Sequence, residues 1–104
     1  MQLIMAIIKP FRLDAVREAL TALGVAGMTV TEVQGAGARV PGCDGEFVPR
    51  LKVEVLAEDA GTPAIVEAIA FAARTGRQGD GRIFVSRLAE VVRVRTGETG
   101  DIAI

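Results

Sequence analysis

Leu3 to Ile8 is an unbroken apolar run that halts at Lys9 and Pro10, and everything after it is arranged to cover it. Six residues are too few for a buried helix and suit a central strand. Pro10, which has no amide proton, ends the pairing. From Arg12 the period changes. Leu13, Val16, Leu20 and Leu23 fall on one helical face, while Arg12, Asp14, Arg17 and Glu18 lie elsewhere. Asp14 suits a first helical turn and Gly24 a helix stop. Thr29-Val30-Thr31-Glu32-Val33 then favours a strand.

The second half repeats this succession. Leu51 to Leu56 is extended, starting as early as Phe47, with Pro49 marking an edge or bulge. Thr62-Pro63 reads as an N-cap followed by proline at the first helical position. Ile65, Val66, Ile69, Ala70 and Ala73 form the next stripe, with Gly76 as C-cap. Arg82 to Ser86 predicts a strand. Val92-Arg93-Val94-Arg95-Thr96 alternates with period two and predicts another. Residues 35–46, rich in turn residues, read as a loop between two long strands. The order β-α-β-β-α-β, with a short extra segment, predicts one α+β domain over 1–104, its helices on one face of an antiparallel sheet. The other face is also apolar in places, around Ile4, Ala6 and Val53 or their neighbours, and no helix remains to cover it. An oligomer is therefore expected.

Composition narrows the functions. Twelve basic and thirteen acidic residues leave a net charge of −1, which argues against a nucleic-acid partner. No apolar run is long enough to span a membrane, and the start lacks a cleavable leader, so a cytoplasmic protein with no membrane insertion is expected. Histidine is absent and Cys43 is the one cysteine. The chain thus lacks the commonest metal ligand and general base, and no catalytic or metal residue is assigned.

Arginine placement is more informative than the sum. Amides around Gly79 and Gly81, followed at once by Arg82, suit an anion-binding nest as well as simple turn punctuation. Asp80 between them would stabilise the turn through its side chain. Arg93 and Arg95, on one face of the expected last strand, are either solvated or drawn together by an anion. With Arg82 they would make a three-arginine clamp for a polyphosphate. Lys52 and Glu54 share a face as a surface pair or a nucleotide-facing pair. Lys9 is either a surface lysine at a strand end or one whose ammonium reaches a cleft.

Longer stretches carry a family resemblance. Ile7-Ile8-Lys9-Pro10-Phe11, Gly27-Met28-Thr29-Val30-Thr31-Glu32-Val33, Thr75-Gly76-Arg77-Gln78-Gly79-Asp80-Gly81-Arg82-Ile83-Phe84-Val85 and Arg93-Val94-Arg95-Thr96-Gly97-Glu98 resemble the PII signal-transduction proteins over nearly the whole chain. The resemblance implies a ferredoxin-like βαββαβ sandwich forming a homotrimer with its sheets facing the centre. It implies a non-catalytic regulator that binds ATP, ADP or AMP as effector in clefts between subunits. Its loop conformation would then control a partner protein, a transporter or a metabolic enzyme. Thr29, Gly35 and Gly37 would line the adenosine side, and Glu54 would accept from the nucleotide. The backbone of Gly79, Asp80 and Gly81 would lie near the phosphates, neutralised by Arg82, Arg93 and Arg95. Lys9, Arg39, Arg50 and Lys52 are candidate anion or effector contacts.

One region departs from that family. The long T-loop normally carries a tyrosine that is uridylylated in many members, and this chain has no tyrosine. The loop, approximately 37–49, is about eight residues shorter than usual. Arg39 stands where a glutamine helps hold magnesium and 2-oxoglutarate, Arg50 where a lysine grips the 2-oxoglutarate carboxylate, and Ala38 where an arginine is usual. A guanidinium has no acceptor atom, so Arg39 would repel magnesium. The alternative expectation is a sensor of carbon status or bicarbonate with ADP or AMP, or a variant that has lost 2-oxoglutarate sensing.

Overall fold

A computed structural model describes residues 1–36 and 46–104 of the chain; Gly37, Arg39, Cys43 and most of the shortened loop lie outside the described residues. Four strands and two helices follow in the expected order: β1 (Gln2–Ile8), α1 (Leu13–Ala22), β2 (Thr29–Gly35), β3 (Val48–Ala57), α2 (Thr62–Ala73) and β4 (Arg82–Arg87). The strands form one antiparallel sheet in the order β2-β3-β1-β4. This is the ferredoxin-like βαββαβ arrangement.

Register decides which apolar residues meet the helices. Ile4 lies opposite Val55 and Val85, and Ala6 opposite Val53 and Ile83. Directly opposite residues share a face, and Ile4, Ala6, Ile8, Val53 and Val55 are buried with Val16, Leu20, Ile65 and Ile69. Burying each of the larger side chains is worth about 1.5–3 kcal/mol. Ile4, Ala6 and Val53 therefore belong to the covered face, and the open face belongs to their neighbours Leu3, Met5 and Ile7. Leu56 and Phe84 extend that apolar band across β3 and β4, at 37% and 46% exposure. The chain exposes 6895 Å², against about 5600 Å² for a compact monomer of its mass.

Both helices differ in detail from expectation, one at its start and the other at its end. Thr62 is the first residue of α2, not its cap, and its hydroxyl donates to the Glu58 carbonyl at 3.0 Å. Leu23 lies past the end of α1 and is half exposed, because the helix stops at Ala22 before completing the stripe. At the other end of α2, Arg12 donates through Nε (2.9 Å) and Nη2 (2.7 Å) to the Ala72 carbonyl, tying the first helical segment to the end of the second. Pro49 sits where β3 has outrun β1 and pairs only with β2, an outer position of the kind where a strand tolerates proline.

The expected strand at Val92–Thr96 is absent. Val92 makes a single bridge to Thr99, and between them the chain turns back on itself. The Arg93 amide donates to the Glu98 carbonyl and the Gly97 amide to the Arg93 carbonyl, both at 2.8 Å. Gly97 adopts φ 74°, which closes the turn. Period-two alternation survives in the sequence, but the backbone bonds are spent locally. A short 3-10 segment (Gly100–Ala103) follows, with Ala103 buried. Among the described residues, no helix is long and apolar enough to cross a membrane.

Candidate functional site

The segment between α2 and β4 is organised by one carboxylate. Asp80 Oδ2 accepts from the amides of Thr75 (2.8 Å) and Gly76 (2.9 Å), and Oδ1 accepts from the Thr75 hydroxyl. Lys9 Nζ, arriving from the end of β1, lies 3.2 Å from both Asp80 Oδ1 and Thr75 Oγ1. Asp80 thus stabilises its turn through the side chain, as its place between two glycines implies. The turn is pressed hard against β1: Gly81, at φ 107°, lies so close that a Cβ there would fall 1.7 Å from the Ile7 carbonyl oxygen. The Asp80 amide closes a turn over Gln78–Gly79 back to the Arg77 carbonyl, while the amides of Gly79 and Gly81 make no backbone hydrogen bond among the described residues.

These contacts also set the charge of Asp80. Hydrogen bonds from the Thr75 hydroxyl, then from the Thr75 amide, Lys9 and the Gly76 amide, hold its carboxyl well below the usual carboxylate range. A lowered folded-state pKa means that the unfolded chain takes up this proton first as the pH falls. The stabilisation is therefore complete above about pH 4 and is lost progressively below it. Asp80→Asn is expected to lower the melting temperature at pH 7 and to flatten its fall between pH 5 and pH 3. A variant whose melting curve stays parallel to the unsubstituted protein across that range would show that Asp80 is not the group responsible.

Strand register places the remaining candidates. On the open sheet face, Arg50 lies opposite Val33, Lys52 opposite both Thr31 and Ile7, and Arg82 on the other side of Ile7. Arg50, Lys52 and Arg82 consequently share one face at the end of the sheet from which the β2–β3 hairpin projects. Arg50 Nη1 donates to the Pro49 carbonyl at 2.8 Å, and its stem approaches Gly35. Lys52 and Glu54 form a pair at 3.8 Å, both about 30% exposed. Thr29 is directly opposite Glu54, and the two line a cleft of about 650 Å³ with Leu56, Glu58 and Ile104.

Arg93 and Arg95 are elsewhere. Leu88, just past β4, donates to the Met1 carbonyl, so the segment carrying them leaves from the opposite end of β1. Six residues of strand separate that end from Arg82, roughly 20 Å. The three-arginine clamp expected from sequence does not form within one chain. Arg93 is engaged internally, with Nη1 3.3 Å from Glu98 Oε1 and Nη2 donating to the Ile102 carbonyl at 3.1 Å. Arg95 is exposed beside Val94, which is 99% exposed at the tip of the turn. Among the described residues, no group of three His, Cys, Asp or Glu side chains could hold a metal.

Two residues that matter here had no role in the sequence reading. Thr75 supplies three of the contacts that close the 75–81 turn, and its place five residues before an aspartate flanked by glycines was the available signal. Glu98 pairs with Arg93 across the turn made by Gly97.

Comparison with known proteins adds a separate line. A family model described as Nitrogen regulatory protein P-II matches residues 1–98. The chain is 50% identical to the Nitrogen regulatory protein P-II of Rhizobium meliloti, 48% identical to that of Azospirillum brasilense and 46% identical to Nitrogen regulatory protein P-II 1 of Escherichia coli. Each alignment covers the whole of both chains. Each runs over 112 positions against 104 residues here, leaving eight positions without a counterpart.

Proposed function

The chain belongs to the nitrogen regulatory protein P-II family, whose members are non-catalytic signal transducers that act on partner proteins, and from that membership we propose that it is an adenine-nucleotide sensor. ATP, ADP or AMP is the effector, held at the edges between subunits of a cytoplasmic homotrimer. Occupancy changes the β2–β3 hairpin loop and thereby the contact with a regulated protein, a transporter or a metabolic enzyme. The observation that carries this reading is the turn whose Gly79 and Gly81 amides lack a backbone acceptor beside Arg82, with Lys52 across Ile7 on the same sheet face. The separation of Arg82 from Arg93 and Arg95 supports a shared site. A phosphate chain that needs all three requires the turn of one subunit and the last segment of another.

Arg50 and Lys52 on one face also support a second reading, in which a small planar anion such as bicarbonate joins ADP or AMP there. The substitution at Arg39 argues against magnesium and 2-oxoglutarate in this protein.

Calorimetry with ATP, ADP and AMP, each with and without bicarbonate and 2-oxoglutarate, separates these readings. Micromolar binding of at least one nucleotide is expected. Because a hydrogen bond to a charged group is worth about 1.5–3 kcal/mol, Arg95→Ala should weaken it at least about tenfold. No heat with any adenine nucleotide would sink the proposal, and a bicarbonate-dependent gain would favour the second reading.

A further inference from the structure

Lys9 stands at the end of β1 where its backbone cannot wander: Pro10 follows it, and its carbonyl accepts from the Arg12 amide at 3.0 Å. Its ammonium does not face open solvent. Two of its three N–H donors are directed at Asp80 Oδ1 and Thr75 Oγ1, and the Lys9 and Asp80 side chains are only 15% and 24% exposed. Asp80 lies between Gly79 and Gly81, whose amides make no backbone hydrogen bond among the described residues. Its carboxylate is therefore a full negative charge built into the loop that is proposed to receive a phosphate. Uncompensated, it would oppose the ligand at close range.

We infer that Lys9 is a positioning residue of this anion site, acting through Asp80: its ammonium neutralises the carboxylate that closes the 75–81 turn, so that the amides of Gly79 and Gly81 meet a phosphate without a bare charge between them. The inference rests on the nucleotide reading above and deepens it. It assigns Lys9 to the turn and not to the ligand. It also explains why a β1 residue is joined by long-range contacts to the segment before β4.

Removing the ammonium and removing the carboxylate should cancel. In Lys9→Met the carboxylate is left unpaired. Adding Asp80→Asn removes the charge but retains the turn, since the amide oxygen can accept from the Thr75 and Gly76 amides while its NH2 donates to the Thr75 hydroxyl oxygen. That NH2 would oppose an ammonium, so asparagine fits best once Lys9 is gone.

The experiment is calorimetry with ADP and with adenosine on the unsubstituted protein, Lys9→Met and Lys9→Met/Asp80→Asn. Lys9→Met is expected to weaken ADP about 10–30-fold and adenosine less than twofold. The double variant is expected to recover ADP affinity to within about threefold of the unsubstituted protein. Should Lys9→Met not fold, the double variant alone carries the test. Equal losses for ADP and adenosine, or a double variant that remains weak, overturn the role of Lys9 while leaving nucleotide binding in place. No ADP binding by the unsubstituted protein overturns the nucleotide reading and this assignment with it.

Discussion

Gly81→Ala is expected to be severely destabilising for a change of a single methyl group. Two costs coincide at this position. At φ 107° an L-residue is strained whatever its surroundings, which alone costs about 1–3 kcal/mol. The added Cβ would also lie 1.7 Å from the Ile7 carbonyl oxygen and 2.8 Å from its carbon, and both belong to a central strand that cannot give way. The turn must withdraw instead. Withdrawal breaks the first β1–β4 pair, Ile7 with Arg82, and pulls Asp80 from Lys9. A loss of about 4 kcal/mol or more is expected, or roughly 15–30 °C in melting temperature for a domain of this size. Gly24→Ala is the control: φ is 77° but nothing lies within 4 Å of the added atom, so only the strain of about 1–2 kcal/mol applies. If the two variants melt within a few degrees of each other, close packing on Ile7 is not what requires glycine.

The contrast between those two glycines reflects what the sequence could and could not convey. Gly79-Asp80-Gly81 announces a tight turn, because the residue types needed are local. That the turn rests on Ile7 and is tied to Lys9 is not local, since more than seventy residues separate the partners. The helices were legible because a 3.6-residue stripe leaves few alternatives over ten residues. β1 was legible as a strand but not as to its faces: an unbroken apolar run has no alternation from which to choose. Only the pairing of Ile4 with Val55 and of Ala6 with Val53 shows which half meets the helices. Val92 to Thr96 failed for the opposite reason. Its alternation is clear, but Gly97 at positive φ and the Arg93–Glu98 backbone bond divert it into a turn. The grouping of the arginines assumed a strand that is not there.

That regrouping has a consequence for assembly. If the anion site needs Arg82 from one end of a sheet and Arg93 or Arg95 from the other end of a neighbour's, then binding and oligomerisation are one equilibrium. Met5→Lys tests this with the least harm to the single chain. Met5 is at the centre of the open face, opposite Glu54 on one side and Phe84 on the other. A lysine there gains a directly opposite carboxylate within its own chain, a favourable cross-strand pair, and leaves the helix-covered core untouched. In the proposed trimer three such ammonium groups would meet where apolar band faces apolar band. Burying an imperfectly paired charge costs several kcal/mol per copy. Sedimentation at micromolar concentration is expected to show a trimer for the unsubstituted protein and single protomers for the variant. ADP affinity is expected to fall at least about 100-fold, the loss of two charge-assisted contacts of about 1.5–3 kcal/mol each. Far-ultraviolet circular dichroism should be unchanged, separating loss of assembly from loss of fold. A variant that remains trimeric would show that the Leu3, Met5 and Ile7 band is not the buried face. A folded single protomer that binds ADP undiminished would show that one chain holds the whole site, and the arginines across the sheet would need another purpose.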